Sequence, residues 1–255
     1  MTLSIEPIST FMDIVGLIPQ LYDKDEKEFV YSIPLIKSYI IINDSQLRSQ
    51  LKEYVGTDLT TTPRPGTPLP REGNQGKGTL LLTDGTELLS VLDDSGVYSQ
   101  VYTITFTSDK AFIIESDLSG DQGDGTTNAD FTTNDTFLII PKELWKGTFV
   151  KDDVHYISIY PYEGMLVHLS SLLAARYMLD VIFTEEVPDA SAASQKFGRL
   201  YNQLINAIQD GKIFLEKGLV SRNIDPIQID YEIDQYGQDV TNYQKDEWSR
   251  TILME

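Results

Sequence analysis

Apolar positions along this chain keep three successive rhythms, and each rhythm predicts a different kind of element. Over the first 60 residues the spacing is mostly three and four. Leu35, Ile36, Tyr39, Ile40, Leu47, Leu51 and Tyr54 fall in that spacing between Pro34 and Val55, which is the signature of an amphipathic helix. Gly56 follows as a residue able to take the left-handed turn that ends helices. Within the helix, Ile40-Ile41-Ile42 is β-branched and Asn43-Asp44-Ser45 is a capping cluster, so a break and restart is expected there. Residues 57–78, TDLTTTPRPGTPLPREGNQGKG, hold four of the eleven prolines and read as loop or linker, because proline removes an amide donor and glycine raises the cost of ordering.

From Thr79 to Tyr160 the rhythm shortens to two. Thr79–Leu82, Thr86–Val91, Val101–Phe106, Ala111–Glu115, Phe137–Ile140 and Val154–Tyr160 read as strands, separated by turn signals such as Asp84-Gly85 and Ser108-Asp109. Val101-Tyr102-Thr103-Ile104-Thr105-Phe106 alternates as a half-buried strand does. Pro141–Trp145 reads as a short helical turn opened by proline. The block is expected to be a small β-sandwich or barrel.

Beyond Pro161 the helical rhythm returns. Leu166, Leu169, Leu173, Ala174, Tyr177 and Val181 form one stripe of a segment Met165–Phe183, with Leu172, Met178 and Ile182 widening it. So broad an apolar arc is buried or meets neighbours on two sides. A second segment, Ser194–Ile208, carries Phe197, Leu200, Tyr201, Leu204 and Ile208, and the pair predicts an antiparallel helical hairpin. Residues 224–255 are polar, acidic and aromatic. There Ile227, Ile229, Tyr231 and Ile233 alternate with Gln228, Asp230 and Glu232. This is a strand pattern on a terminus, open to two readings: docking on its own sheet, or addition to another subunit. Tyr236, Tyr243 and Trp248 follow as possible anchors.

The expected fold class is therefore α+β. Residues 1–60 and 161–223 form a helical bundle, an N-terminal helix plus a C-terminal helical hairpin. Residues 61–160 form an inserted β domain, and 224–255 an extended C-terminal arm.

Composition narrows the chemistry. A chain of 255 residues with 41% hydrophobic and 23% charged residues has the content of a globular protein. No run reaches the roughly 20 apolar residues of a membrane span, and the first ten residues, MTLSIEPIST, lack a signal-peptide pattern, so a protein made and used in solution, without membrane partners, is expected. There are no cysteines, which removes disulfides and thiolate sites. The net charge of −19 repels phosphate backbones and argues against sequence-reading nucleic-acid binding.

Candidate sites are few, and each has a plainer account. Asp117-Leu118-Ser119-Gly120-Asp121-Gln122-Gly123-Asp124-Gly125 faintly resembles a calcium loop, but Gln122 stands where glycine is needed and Asn128 where glutamate is needed. A solvated hairpin loop is the better reading. Gly73-Asn74-Gln75-Gly76-Lys77-Gly78-Thr79 precedes a strand, whereas a phosphate cradle follows one. His155 and His168, the only histidines, lie in apolar patterns without ligand-spaced partners, and Trp145 reads as core. No catalytic residue, cofactor or metal is expected.

Residues 165–215 resemble the C-terminal half of phage head–tail connector proteins, the adaptor or head-completion subunits that form rings beneath the portal. Ala174-Ala175-Arg176-Tyr177 and Gly211-Lys212-Ile213-Phe214-Leu215 carry the likeness, and Glu53-Tyr54-Val55-Gly56 is similar to the end of that family's first helix. The β block departs from its smallest members, although YTITFTSDKAFIIESDLSG is similar to inserted domains of larger ones. The resemblance implies a structural virion protein, not an enzyme: a ring subunit, commonly in twelve copies, made in the host cytoplasm and placed in the virion neck. Its implied partners are other copies of itself, the portal, tail or stopper proteins, and double-stranded DNA passing through the lumen without specific binding. Leu166, Leu169, Leu173 and Tyr177 are the expected subunit interface, and Ile227, Ile229, Tyr231, Ile233 and Trp248 the expected partner-binding arm. The alternative is a decoration module of the virion that binds a receptor or carbohydrate through the β domain. The connector is the preferred reading, since sugar platforms use exposed rings and Trp145 reads as core.

Overall fold

One strand, Val-His-Tyr-Ile-Ser-Ile-Tyr-Pro-Tyr from Val154 to Tyr162, is buried along nearly its whole length, and the rest of the molecule is arranged on its two sides. In the computed structural model, residues 7–23, 28–55, 60–91, 97–181, 190–213 and 215 are described. In chain order the elements are α1 (Phe11–Leu17), β1 (Tyr22–Asp23), β2 (Glu28–Phe29), α2 (Ile33–Val55), β3 (Thr60–Pro65), β4 (Leu69–Pro70), β5 (Thr79–Leu80) and β6 (Ser90–Val91). There follow β7 (Gln100–Phe106), β8 (Ala111–Ser116), β9 (Gly120–Thr126), β10 (Phe131–Thr132), β11 (Leu138–Ile140), β12 (Trp145–Lys146), β13 (Val154–Tyr162), α3 (Gly164–Val181) and α4 (Ala190–Gln209).

The main sheet runs β3-β13-β7-β8-β9, with β4 also paired to β13, and its pairings are antiparallel. It is open at β3 and β9, so the described residues form a mixed α+β fold with no closed barrel. Because side chains alternate along a strand, β13 feeds two cores. Ile157 and Ile159 join Tyr102, Ile104 and Phe106 of β7 and Phe112 and Ile114 of β8 beneath a lid of Leu80, Leu138, Ile140, Trp145 and Phe149. On the other face Val154 and Tyr156 meet Phe11 and Ile14 of α1, Ile36 and Ile40 of α2 and Ala174, Ala175 and Met178 of α3. A third cluster joins the C-terminal half of α2 to α3 and α4. Among the described residues no helix is long and apolar enough to cross a membrane.

Four local expectations need correction. The proline-rich stretch is not all loop, because β3 and β4 lie within it and pair with β13, Pro65 opposite Ile159 and Pro70 opposite His155. An edge strand tolerates the amides that prolines lack. The acidic loop is a turn only at its start; from Gly120 it becomes strand β9. It is held by Gln122, whose amide donates to Ser119 and Gly120 and accepts from Asp135 N–H. The helix α2 runs unbroken through Asn43-Asp44-Ser45. Those residues do not cap it: Asn43 Nδ2 bonds the Tyr39 carbonyl in its own helix and Asp44 bonds the N-terminal segment. The runs Thr79–Leu82 and Thr86–Val91 shrink to β5, β6 and a single bridge between Thr83 and Leu88. The short helical turn after Pro141 is present as a 3₁₀ turn at Lys142–Leu144, and Trp145 is core.

The glycine-rich run at 73–78 binds an anion of its own chain. The Asp153 carboxylate accepts from Gln75 N at 2.8 Å, Gly76 N at 3.1 Å and Val150 N at 2.8 Å. Asn74 brackets Val154 by donating to its carbonyl and accepting from its amide. Gly78 has no Cβ because one there would overlap the Phe149 ring at 2.3 Å.

Candidate functional site

The wide apolar arc of α3 has a physical account inside this chain. Leu166, Leu169 and Leu173 are buried against Leu47 and Leu51 of α2 and Tyr201, Leu204 and Ile208 of α4. Ala174, Ala175 and Met178 face α1, the first half of α2 and the sheet. The helix is covered on several sides by its own chain. Of the four interface candidates only Tyr177 reaches the surface, where it is 43% exposed. Its ring lies 5.8 Å from that of Tyr39, joining α3 to α2 at the surface. Ile42 at 58% and Val181 at 52% are also exposed on these helices, with Leu35 one turn before Tyr39. The result is an outward strip of apolar side chains on the α2/α3 pair.

A polar groove of about 430 Å³ runs between α3 and α4 beside this strip, lined by Arg176, Asp180, Ser194, Gln195, Gly198, Arg199 and Asn202. Arg176 and Asp180 also line an adjoining hollow of about 300 Å³ bordered by Asn43, Gln46, Leu173 and Tyr177. The hairpin is antiparallel: Ser194 donates to Asp180, Gly198 faces Arg176, and Tyr201 near the middle of α4 donates to Gln50 of α2. Arg176 Nε stands 3.8 Å from Asp180 Oδ2, one turn along. The Arg176 guanidinium lies close over Gly198 of α4, where a Cβ would sit 3.1 Å from its Cζ and Nε and would move it by a few tenths of an ångström.

Beneath the helices a set of hydrogen bonds fastens the segment before α1. Asp44 Oδ2 accepts from Ile8 N at 2.7 Å, Ser99 Oγ donates to the Ile8 carbonyl at 2.8 Å, and Ser9 Oγ shares a 2.7 Å bond with Ser170 Oγ. Asp13 reaches back to Thr10 N and Oγ1 at 2.7 and 2.8 Å and accepts from Tyr160 OH at 2.7 Å. Burial pushes the Asp44 carboxyl up to about 6, against the bonds from Ser170 and Ile8 that pull it down. Burial likewise raises Asp13 and lowers His168, against the Asp13 charge that pulls His168 up. His155 lies on the opposite face, between the Phe106 and Phe149 rings at 6.0 and 5.5 Å, and neither ring nitrogen has a hydrogen-bond partner. Burial lowers it to about 4. These groups lock the fold; they do not meet in an open cleft.

The arm residues Ile227, Ile229, Tyr231, Ile233 and Trp248 lie outside the described residues. The sequence reading missed the α3/α4 groove, although one signal was present: a glycine at 198 in the middle of a helical pattern, where it weakens the helix unless something needs the space.

No family model matches the chain, and no curated protein matches it. Among solved structures it is similar to two crystal forms of FlgL from Xanthomonas campestris. For space group H3 the identity is 14% over 64% of this chain and 57% of that one, and for space group C2 it is 16% over 61% and 48%. The chain thus spans about half the length of these neighbours. The TM-score is 0.27 in both cases, and likeness of that degree carries no argument.

Proposed function

We propose that this chain is a structural virion subunit, a head–tail connector of adaptor type that forms a ring beneath the portal. In that role it contributes to the DNA channel and offers a platform for tail attachment. One observation supports the reading above the others. The helical hairpin that carries the resemblance to connectors also presents Tyr177 and Val181 outward beside Ile42 of α2, and apolar side chains gathered on the surface of an acidic chain are suited to contact with another subunit. The strongly negative charge fits a lumen through which duplex slides without sticking.

Negative-stain imaging with light scattering on the purified chain tests this. Rings with a central hole are the expected result. Monomers, or binding of glycans without rings, would overturn it in favour of a decoration or receptor-binding module. Duplex DNA should show no retardation at low salt, and tight salt-sensitive binding would contradict the channel role.

A further inference from the structure

We infer that the groove between α3 and α4 receives the C-terminal segment, residues 224–255, of a neighbouring copy of this chain. The inference rests on the ring-subunit reading for the existence of that neighbour.

The groove is lined by two arginines, Arg176 and Arg199. Arg176 lies close over Gly198, where a Cβ would crowd the guanidinium at 3.1 Å, and its Nε stands 3.8 Å from Asp180 one turn away. A glycine in a helix interior is unfavourable unless a close approach needs it, and here the close approach is an arginine. Arg199 lines the same groove. Two arginines and one carboxylate, Asp180, line the groove, a net positive lining in a chain of net charge −19. Guanidinium presents a planar fork of donors that suits carboxylates. Along its border lies the apolar strip of Ile42, Tyr177 and Val181. The groove therefore calls for an acidic ligand that also carries apolar side chains at close intervals.

Residues 224–255 have that composition. They hold eight acidic residues against two basic ones, and Asp230 and Glu232 alternate with Ile229, Tyr231 and Ile233. The reach also suffices. The described chain ends at Leu215, buried in the core that α4 shares with α3. The twelve residues from there to Ile227 can span about 40 Å. The groove residues of α4 lie back along a helix whose length is roughly 30 Å at 1.5 Å per residue. A tether of that length exceeds the length of α4.

The test uses the full-length chain as an equal mixture of copies with ordinary and heavy nitrogen, joined by a carbodiimide that couples Lys196, exposed on α4 next in the chain to Gln195 of the groove, to carboxylates. Cross-links from Lys196 to peptides holding Asp230 or Glu232, in pairs of mixed label, are expected. Reversing Arg176→Glu and Arg199→Glu together should cut their yield about tenfold and speed tryptic cleavage at Arg222 and Lys245 by a similar factor, the scale of one or two charge-assisted bonds lost. Adding Asp230→Lys and Glu232→Lys should restore both. Should the double reversal fail to fold, Arg199→Ala at its exposed position serves instead, with a loss of about threefold expected from one such contact. Unchanged cross-links and cleavage in a folded variant overturn the proposal. Cross-links confined to pairs of one label overturn the neighbour and assign the groove to the chain's own tail. Mixed-label cross-links without rings in negative stain would sink the ring reading and leave the groove assignment standing.

Discussion

The two faces of β13 are sealed by different means. On the face turned to the smaller strands ring contacts dominate: Phe106 and Phe149 stack at 4.1 Å with planes 4° apart, Trp145 meets Phe106 edge-on at 5.6 Å, and Tyr102 OH adds a bond to Asp135. On the face turned to the helices, side chains of comparable size are interleaved with directed bonds, Tyr160 to Asp13, Ser9 to Ser170 and Ile8 to Asp44. Rings of defined shape interlock and select their own arrangement. Aliphatic helix faces slide more easily, so a short segment laid across four elements is positioned by hydrogen bonds, which depend on direction. Ring shape carries more of one side and bonding geometry more of the other.

Truncating the aromatic side should have the largest effect. Phe106→Ala removes a fully buried ring from the stack and is expected to lower stability by about 3–5 kcal/mol, read from urea melts. Tyr160→Phe removes one hydroxyl from the bonded side and leaves the Asp13 carboxylate short of one donor, for an expected loss of about 1–3 kcal/mol. If the second change costs as much as the first, the contrast between the faces is wrong.

Acid should divide the two sides next. His155 stays neutral when folded down to about pH 4 and takes a proton at its ordinary 6.5 when unfolded. Its contribution is therefore intact above 6.5 and is lost as pH falls toward 4. Asp44 is held at about 6 in the fold against an ordinary 3.8. Its burial destabilises above pH 6, and that penalty is relieved as pH falls toward 3.8. Each effect amounts to about 3 kcal/mol and the two oppose each other in one window. His155→Phe should therefore gain stability between pH 6.5 and 4 relative to wild type, and Asp44→Asn should lose it more steeply. Parallel melts at pH 7, 5.5 and 4.5 decide, and two variants that track wild type would refute the opposition.

The surface of the helical side gives the smaller effects. Tyr177→Ala should leave stability within about 1 kcal/mol, as expected at a half-exposed position, while reducing ring formation in negative stain. Leu173→Asp should unfold the monomer instead, because Leu173 is buried in its own chain, so it does not read the interface. The smallest change is expected at Gly198→Ala. It raises helix propensity by up to about 1 kcal/mol, yet its Cβ displaces the Arg176 guanidinium by a few tenths of an ångström. A thermal melt unchanged or slightly raised, with weaker cross-linking from Lys196, would separate the role of the groove from that of the fold.

Much of this architecture was legible beforehand, and the failures share a cause. The hairpin of α3 and α4, the long α2 and the strands β7, β8 and β13 all carry strong repeats. The strands β3 and β9 were missed because edge positions admit prolines, glycines and aspartates that break the pattern of a central strand. Of the α3 stripe Tyr177 lies at the surface, whereas Leu166, Leu169 and Leu173 are core. Neither Arg176 nor Gly198 means anything until α3 and α4 are laid together.

By itself the sequence determined the period of each segment, and with it the α+β character, since helix and strand repeats follow from local backbone geometry. It also determined the negative charge and the absence of thiol chemistry. The tertiary structure alone decided which apolar faces were covered. A stripe records that a side chain needs an apolar neighbour without recording which one, and α2, α4 and the sheet reach α3 from positions far away in the chain. It likewise decided that Asp44 anchors Ile8 instead of capping a helix, because that carboxylate found its donor 36 residues away.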